Sequence, residues 1–396
     1  MNFILFDDAS WVDLLPITFT RPVSEIRWGI LTLREKWEHY LRQPCSYLTR
    51  TYLQSKFPCR EERDSLFING AIAPDKNLVS AILALQPDET LTKNNEIIAI
   101  RMDDADFVLP ELPGPVGGKR VIPYAGEYLR LAHTWDIFRL NGQAILSDFE
   151  MITSGRTSRA LPPGVHVTGS FPVFLEEGAA ISHAFINTTQ GPVYIASGAE
   201  VMEGCMIRGP FSLGMASVLK MGSKVYGPTT IGPNCKAGGE INNSIIQGYS
   251  NKAHEGYLGN SVIGEWCNLG ADTNNSNLKN SFAPVKTWSY RTRSFIETGL
   301  LKCGLVMGDY SRCGINTMFN TATVVGVGVN LFGAGFPRNY VPSFSFGGAQ
   351  GFKVHTLDKV LEAADGMMKQ QQLEFSESDR RILTDLFEFS RTDRYS

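Results

Sequence analysis

The sequence predicts an α/β domain over residues 1–150, a parallel β-helix over 164–347 and a short helical tail over 351–396. Three observations carry that prediction. Short apolar strands alternate with helical segments before residue 150, and an apolar residue recurs at every sixth position from Ile195. Past Phe346 the six-residue period stops and a helical spacing replaces it.

In the N-terminal part, NFILF reads as a buried strand, RWGILTLREKWEHYLR as an amphipathic helix and SLFING as a strand entering a turn. NEIIAIRM and FVLPEL continue the alternation, and GEYLRLAHTWDIFRLNGQAIL is helical in pattern. Such alternation predicts helices packed on a mostly parallel sheet. Composition excludes other classes: a net charge of -3 leaves no basic face for nucleic acid, and no apolar run is long enough to span a membrane. The opening MNFILFDDAS lacks the basic region of a signal peptide. Seven cysteines at irregular spacing, with no CxxC pair, predict reduced thiols in a cytoplasmic protein.

The repeat dominates the middle of the chain. Ile195, Val201, Ile207, Leu213, Leu219, Val225, Ile231 and Ala237 are all apolar, a run with a chance of roughly one in a thousand at this composition. Ile263 and Leu269 keep the spacing in another phase, as do Met307, Cys313, Phe319, Val325 and Leu331. Gly222, Gly227, Gly232, Gly238 and Gly239 punctuate the first run as corners would. A period of six fits a triangular prism of short strands and corners, about eighteen residues per coil and roughly ten coils. Phase changes near Asn242 and Lys286–Glu297 predict loops inserted at corners, and Asn242, Asn243, Asn274, Asn275 and Asn277 an outer polar ladder. Hexapeptide prisms as a class are left-handed and commonly trimeric, so a homotrimer covering the apolar faces is expected. In the tail, Leu357, Val360, Leu361, Ala364 and Met367 are helically spaced, and SESDRRILTDLFEF predicts a second helix capped by Ser376 or Ser378.

The stretch KAHEGYLGNSVIGEWCNLGADTNNSN carries a resemblance. His254, Tyr257, Leu258 and Gly259, then Asn268, Leu269, Gly270 and Ala271, then Asn277 follow the order and spacing of an acetyltransferase segment. That segment is found in the bifunctional glucosamine-1-phosphate acetyltransferase / UDP-N-acetylglucosamine pyrophosphorylase family, and GGEINNS, SNKAH and GINTMFNT resemble a divergent bacterial subgroup of it. The resemblance implies acetyl-CoA as donor and an amino-sugar phosphate as acceptor. A sugar ammonium must lose a proton before it attacks a thioester, and His254 is the candidate general base. The backbone N–H of Ala271 is the candidate oxyanion donor. Tyr257, Asn268 and Asn277 would hold the sugar, and Lys224, with Arg208 and Lys220, the phosphate. Asn242 stands where the family has a phosphate-binding lysine, and Asp272 replaces the second glycine of its Asn-Ile-Gly-Ala-Gly motif.

For the N-terminal domain the resemblance implies a nucleotide-diphospho-sugar transferase fold acting on UTP with Mg²⁺. The glycine-rich phosphate loop is absent, since no glycine precedes Gly29. Arg21 and Arg27 are the candidate phosphate clamps. Ala71 occupies the position of the expected metal-binding aspartate, leaving Asp7 and Asp8, or Asp103 and Asp104, as candidate ligands. Two alternatives stay open: a glucose-1-phosphate-type nucleotidyltransferase with a structural β-helix, and a non-catalytic sugar-nucleotide scaffold.

Overall fold

The computed structural model describes residues 1–60, 62–103 and 120–391. They form two compact units, Met1–Ile26 with Leu31–His133, and Arg27–Ile30 with Thr134–Ser396.

The first unit is a six-stranded mixed sheet with the helices Leu33–Leu41 and Lys76–Leu83 packed on one face. Its strands are β1 (Asn2–Phe6), β2 (Ser46–Leu48), β3 (Ser65–Asn69), β4 (Glu89–Lys93), β5 (Glu96–Met102) and β6 (Arg120–Pro123), in the order β2-β1-β3-β5-β4-β6. β1 is parallel to both β2 and β3, and β4 to β6, whereas β5 runs antiparallel to β3 and β4. The antiparallel hairpin turns on Asn94 and Asn95, both with positive φ (51° and 66°), the backbone that a two-residue hairpin requires and asparagine tolerates. The predicted helix over RWGILTLREKWEHYLR begins only at Leu33, because Thr32 and Glu35 form a capping box there. Phe3, Leu5, Leu66 and Ile68 bury one face of the sheet together with Trp37, Leu78 and Ile82. The predicted FVLPEL strand and Asp104 lie outside the described residues.

In the second unit the predicted helix over GEYLRLAHTWDIFRLNGQAIL splits into Thr134–Arg139 and Asn141–Thr153. Asn141 Oδ1 accepts from Gly29 N–H and its Nδ2 donates to Thr230 Oγ1, while Asp148 accepts from Ile30 N–H. The remainder is the solenoid. Three parallel sheets run along it, one of six strands (His166–Thr168 to Tyr257–Gly259), one of nine (Val173–Leu175 to Tyr340–Val341) and one that starts at Ala180–Ile181. The nine-stranded sheet marks nine coils, close to the number expected from the period. Every residue of the six-residue series from Ile195 to Ala237 points inward and is buried, as are Ile263, Leu269 and the Met307–Leu331 series. Each fully buried aliphatic rung contributes about 1.5–3 kcal/mol.

The two phase changes have different causes. Lys286–Ser289 and Ser294–Glu297 form an antiparallel hairpin within an insertion, as predicted. Near Asn242 the chain is instead shortened. Corners leading off the third sheet take four residues at Lys220–Ser223 and Gly270–Thr273, but only Gly238 and Gly239 separate Lys236–Ala237 from Glu240–Asn242. Gly239 turns the chain with φ 72°, and a Cβ there would meet the Gly256 carbonyl oxygen at 2.7 Å. A tight corner rather than an inserted loop therefore resets the phase. The asparagine ladder also needs correction, because Asn275 is 4% exposed and points into the prism. Its amide pairs with both backbone groups of Gly259, accepting from N–H at 2.9 Å and donating to the carbonyl at 3.0 Å. The tail closes the third sheet with an antiparallel strand and ends in helices Leu357–Gln370 and Glu377–Phe389, the latter capped by Ser376.

Candidate active site

One edge of the prism gathers the residues that the sequence singled out. His254 lies in the four-residue corner Ala253–Gly256, exposed to solvent, and Ala271 in the corner Gly270–Thr273 one coil further on. The two corners are tied together, since Asp272 N–H donates to the Glu255 carbonyl at 3.0 Å. Ala271 in turn accepts at its carbonyl from Asn316 N–H, which fixes the plane of the following peptide. On the first sheet Lys224, Glu240 and Tyr257 stack in register, and Tyr257 N–H donates to Asn274 Oδ1.

Asn277 Nδ2 donates to the Tyr257 hydroxyl at 2.9 Å and to Asn260 Oδ1 at 2.7 Å, so the tyrosine and the asparagine are held as one polar unit. Burial raises the Tyr257 phenol above its ordinary value and keeps it protonated. Asn268 sits round the corner on the third sheet, exposed between Asn251 and Arg312. Lys224 Nζ lies 3.6 Å from Glu255, the residue after His254. With Arg208 and Tyr226 it also lines a cleft of about 430 Å³ on the first sheet. Asn242 is a rung below Gly259 and accepts at its carbonyl from Asn260 N–H. Lys220 contributes to its own corner through its carbonyl, which accepts from Ser223 Oγ.

A larger cleft of about 1350 Å³ begins at Ser276 and runs under the Lys286–Glu297 hairpin. Lys279, Lys286, Arg293 and Arg338 line it with Trp288 and Tyr340, stacked 4.1 Å apart, and no carboxylate is among its lining residues. In the sequence the loss of phase pointed here only to an inserted loop, although Trp288, Tyr290 and Phe295 beside basic residues were a legible signal of a cleft.

In the first unit the C-terminal ends of β1, β2 and β3 converge, at the point where the strand order reverses. Asp7 is buried there, accepting from Val23 N–H at one oxygen and Thr49 Oγ1 at the other. Burial, only partly offset by these bonds and by Arg50, pushes its carboxyl up to about 7. For Asp8 burial alone would act the same way, but Arg130 at 2.6 Å and the bonds from Ser10 and Asn69 hold it below its ordinary value. Every oxygen of the two carboxylates already accepts a hydrogen bond, and among the described residues no group of three His, Cys, Asp or Glu side chains could hold a metal. As they stand, these residues do not fit a resident cation. Arg21 is buried in the first unit, whereas Arg27 belongs to the second, its backbone exchanging two hydrogen bonds with the Gln247 amide. Arg50, which follows β2 and lies over the Trp11 ring at 4.8 Å, was missed. Its position directly after a parallel strand was the available clue.

Residues 3–157 match the family model of a sugar nucleotidyl transferase. The bifunctional protein GlmU of Methanococcus maripaludis is 28% identical over 269 residues, covering 68% of this chain and 56% of that protein. The chain is a distant relative of the GlmU proteins. GlmU of Methanocaldococcus jannaschii is 36% identical over 87 residues, 22% of this chain and 21% of its own. A putative acetyltransferase of Escherichia coli, YaiX, is 27% identical over 149 residues, 37% of this chain and 64% of that protein. The chain thus spans between about a fifth and somewhat more than half of the GlmU relatives it matches. No helix among the described residues is long and apolar enough to cross a membrane.

Proposed function

We propose that the GlmU-like solenoid transfers an acetyl group from acetyl-CoA to an amino-sugar phosphate, with glucosamine 1-phosphate as the first acceptor to test. The observation that carries this reading is the pair of linked corners, one bearing His254 and the next Ala271, beside the Tyr257–Asn277 unit. His254 takes a proton from the sugar ammonium, and the freed amine attacks the thioester carbonyl. The oxyanion of the tetrahedral intermediate accepts from the Ala271 N–H, the attacking nitrogen gives its second proton to solvent as the intermediate collapses, and the departing thiolate takes the first back from the imidazolium. Tyr257, Asn268 and Asn277 orient the sugar, and Lys224 and Asn242 face its phosphate. The cleft lined by Lys279, Lys286, Arg293 and Arg338 suits the anionic donor.

The same reading assigns the N-terminal unit to nucleotidyl transfer from UTP onto the sugar 1-phosphate, with Arg21 beside the phosphates and Mg²⁺ arriving on the nucleotide. A second reading of that unit, binding of a sugar nucleotide without turnover, is favoured by the closed hydrogen bonding of Asp7 and Asp8. Assembly as a trimer belongs to the proposal as well.

The test is thiol release from acetyl-CoA with glucosamine 1-phosphate. Wild type is expected to release thiol, and His254→Ala to lose about a hundredfold or more in kcat. An unchanged rate in the variant removes His254 from the mechanism. No release from wild type with any amino-sugar phosphate removes acetyl transfer.

A further inference from the structure

The inward rung of the third sheet reads Ile181, Val201, Leu219, Ala237, Lys252, Leu269, Cys313 and Leu331 along the prism. Seven of these are apolar or thiol and belong to the continuous core, while Lys252 is an ammonium at 2% exposure. A space-filling residue here would be aliphatic, since burying an ammonium is unfavourable unless its protons find acceptors. The Lys252 Nζ finds two: it donates to the Gly238 carbonyl at 2.9 Å and to the His254 carbonyl at 2.6 Å.

The neighbouring corners show what these bonds supply. In the corners Lys220–Ser223, Gly270–Thr273 and Gly314–Thr317, a hydroxyl on the fourth residue donates to the carbonyl of the first. The His254 corner ends in Gly256, which has no hydroxyl. Glycine is required there, because φ is 118° and a Cβ would approach the Thr273 carbonyl oxygen to 2.2 Å. The corner beneath is two residues short and has no hydroxyl either, so its first carbonyl, Gly238, takes its bond from the Lys252 Nζ, whose other bond goes to the second carbonyl of the corner above, His254. Lys252 reaches from inside the prism to both corners at once. Burial lowers its ammonium to about 8, with Glu255 and Asp272 favouring the charged form and Lys224 opposing it.

We propose that Lys252 is a positioning residue which holds the His254 corner in place from within the prism. The proposal rests on the acetyl-transfer reading for what His254 does, but not for how it is held. Replacement by a side chain of similar length without donors, Lys252→Met, tests it through two readouts. The first is hydrogen exchange of the Asp272 amide, which donates to Glu255 in the His254 corner, with Asn316 as internal control because its amide makes the equivalent bond to Ala271. Exchange at Asp272 is expected to quicken about tenfold or more while Asn316 stays as it was. The second is thiol release, in which kcat falls about tenfold and the acceptor KM changes less than twofold.

Unchanged exchange at Asp272 together with unchanged kcat, in a variant whose circular dichroism matches wild type, overturns the proposal. A variant that unfolds is replaced by Lys252→Leu, which restores the aliphatic side chain of the neighbouring rungs and carries no donor. The same pair of readouts is taken on it, and wild-type values for both overturn the proposal equally. If wild type releases no thiol, the acetyl-transfer reading fails, and the exchange ratio still decides the role of Lys252.

Discussion

Two stretches of the same prism solve the problem of a closed interior differently. From Ile195 to Ala237 the chain lays down an aliphatic rung at every sixth residue, and the Lys220–Ser223 corner is locked by its own hydroxyl. From Gly238 to Asn275 the interior takes in an ammonium and a carboxamide, one corner loses two residues, and every buried polar atom of Lys252 and Asn275 meets a backbone partner. The candidate active site lies in the second stretch. The contrast teaches that the irregular coils are not worn versions of the regular ones. Their polar rungs stand where the backbone of a corner or strand lacks its usual partner.

The sharpest way to break the comparison is to move a lysine into the regular stretch. Val225 is a buried rung with its corners already satisfied. Val225→Lys should destabilise by about 4 kcal/mol, and the loss should show as a lowered denaturation midpoint. Lys252→Met should change stability by less than about 2 kcal/mol, because the lost hydrogen bonds are offset by removing a buried charge. Equal losses in the two variants would mean that the prism does not distinguish the stretches.

A buried carboxyl in the other unit extends the comparison. The folded-state pKa of Asp7, about 7, lies above its ordinary 3.8. The folded protein therefore holds that proton more tightly than the unfolded chain does. The resulting stabilisation is complete below pH ~4 and lost as pH rises through 7. Asp7→Asn should abolish this slope and be more stable than wild type at pH 8 by up to about 3 kcal/mol, read from thermal midpoints at pH 5 and pH 8. A variant that is less stable at pH 8 would show that the bonds from Val23 and Thr49 need the full carboxylate. An effect smaller than that at Asp7 is expected for Asn275→Ala, at about 2 kcal/mol, since it leaves both backbone groups of Gly259 without their amide partner. Faster amide exchange at Gly259 would locate the loss.

Much of this architecture was legible in the chain. The series Ile195–Ala237 named its inward residues one by one, and the glycines marked corners, because each rung repeats the same local requirement. The hairpin at Lys286–Glu297 was visible as a break in phase. Lys252 was not, since a lysine in isolation reads as a solvated surface residue. The two-residue corner beneath it looked like an insertion, because a lost phase does not tell shortening from lengthening. In the N-terminal unit, NFILF and SLFING identified β1 and β3, but the short strands β2 and β6 and the Asn94–Asn95 hairpin were passed over. Arg21 and Arg27 looked like one clamp, six residues apart, and fall in different compact units.

By itself the sequence determined the period, the apolar set that fills the prism, the helix cap at Ser376, and the order of chemically able residues from His254 to Asn277. These are local properties, fixed by spacing and by the conformations that individual residues allow. Tertiary structure alone decided which groups lose water and what they meet instead. The Lys252 ammonium, the Asn275 amide and the Asp7 carboxyl take their partners from segments 14, 16 and 42 residues away. A buried charge or amide is stable only where such distant backbone and side chains converge on it, and no periodicity in the chain records that convergence.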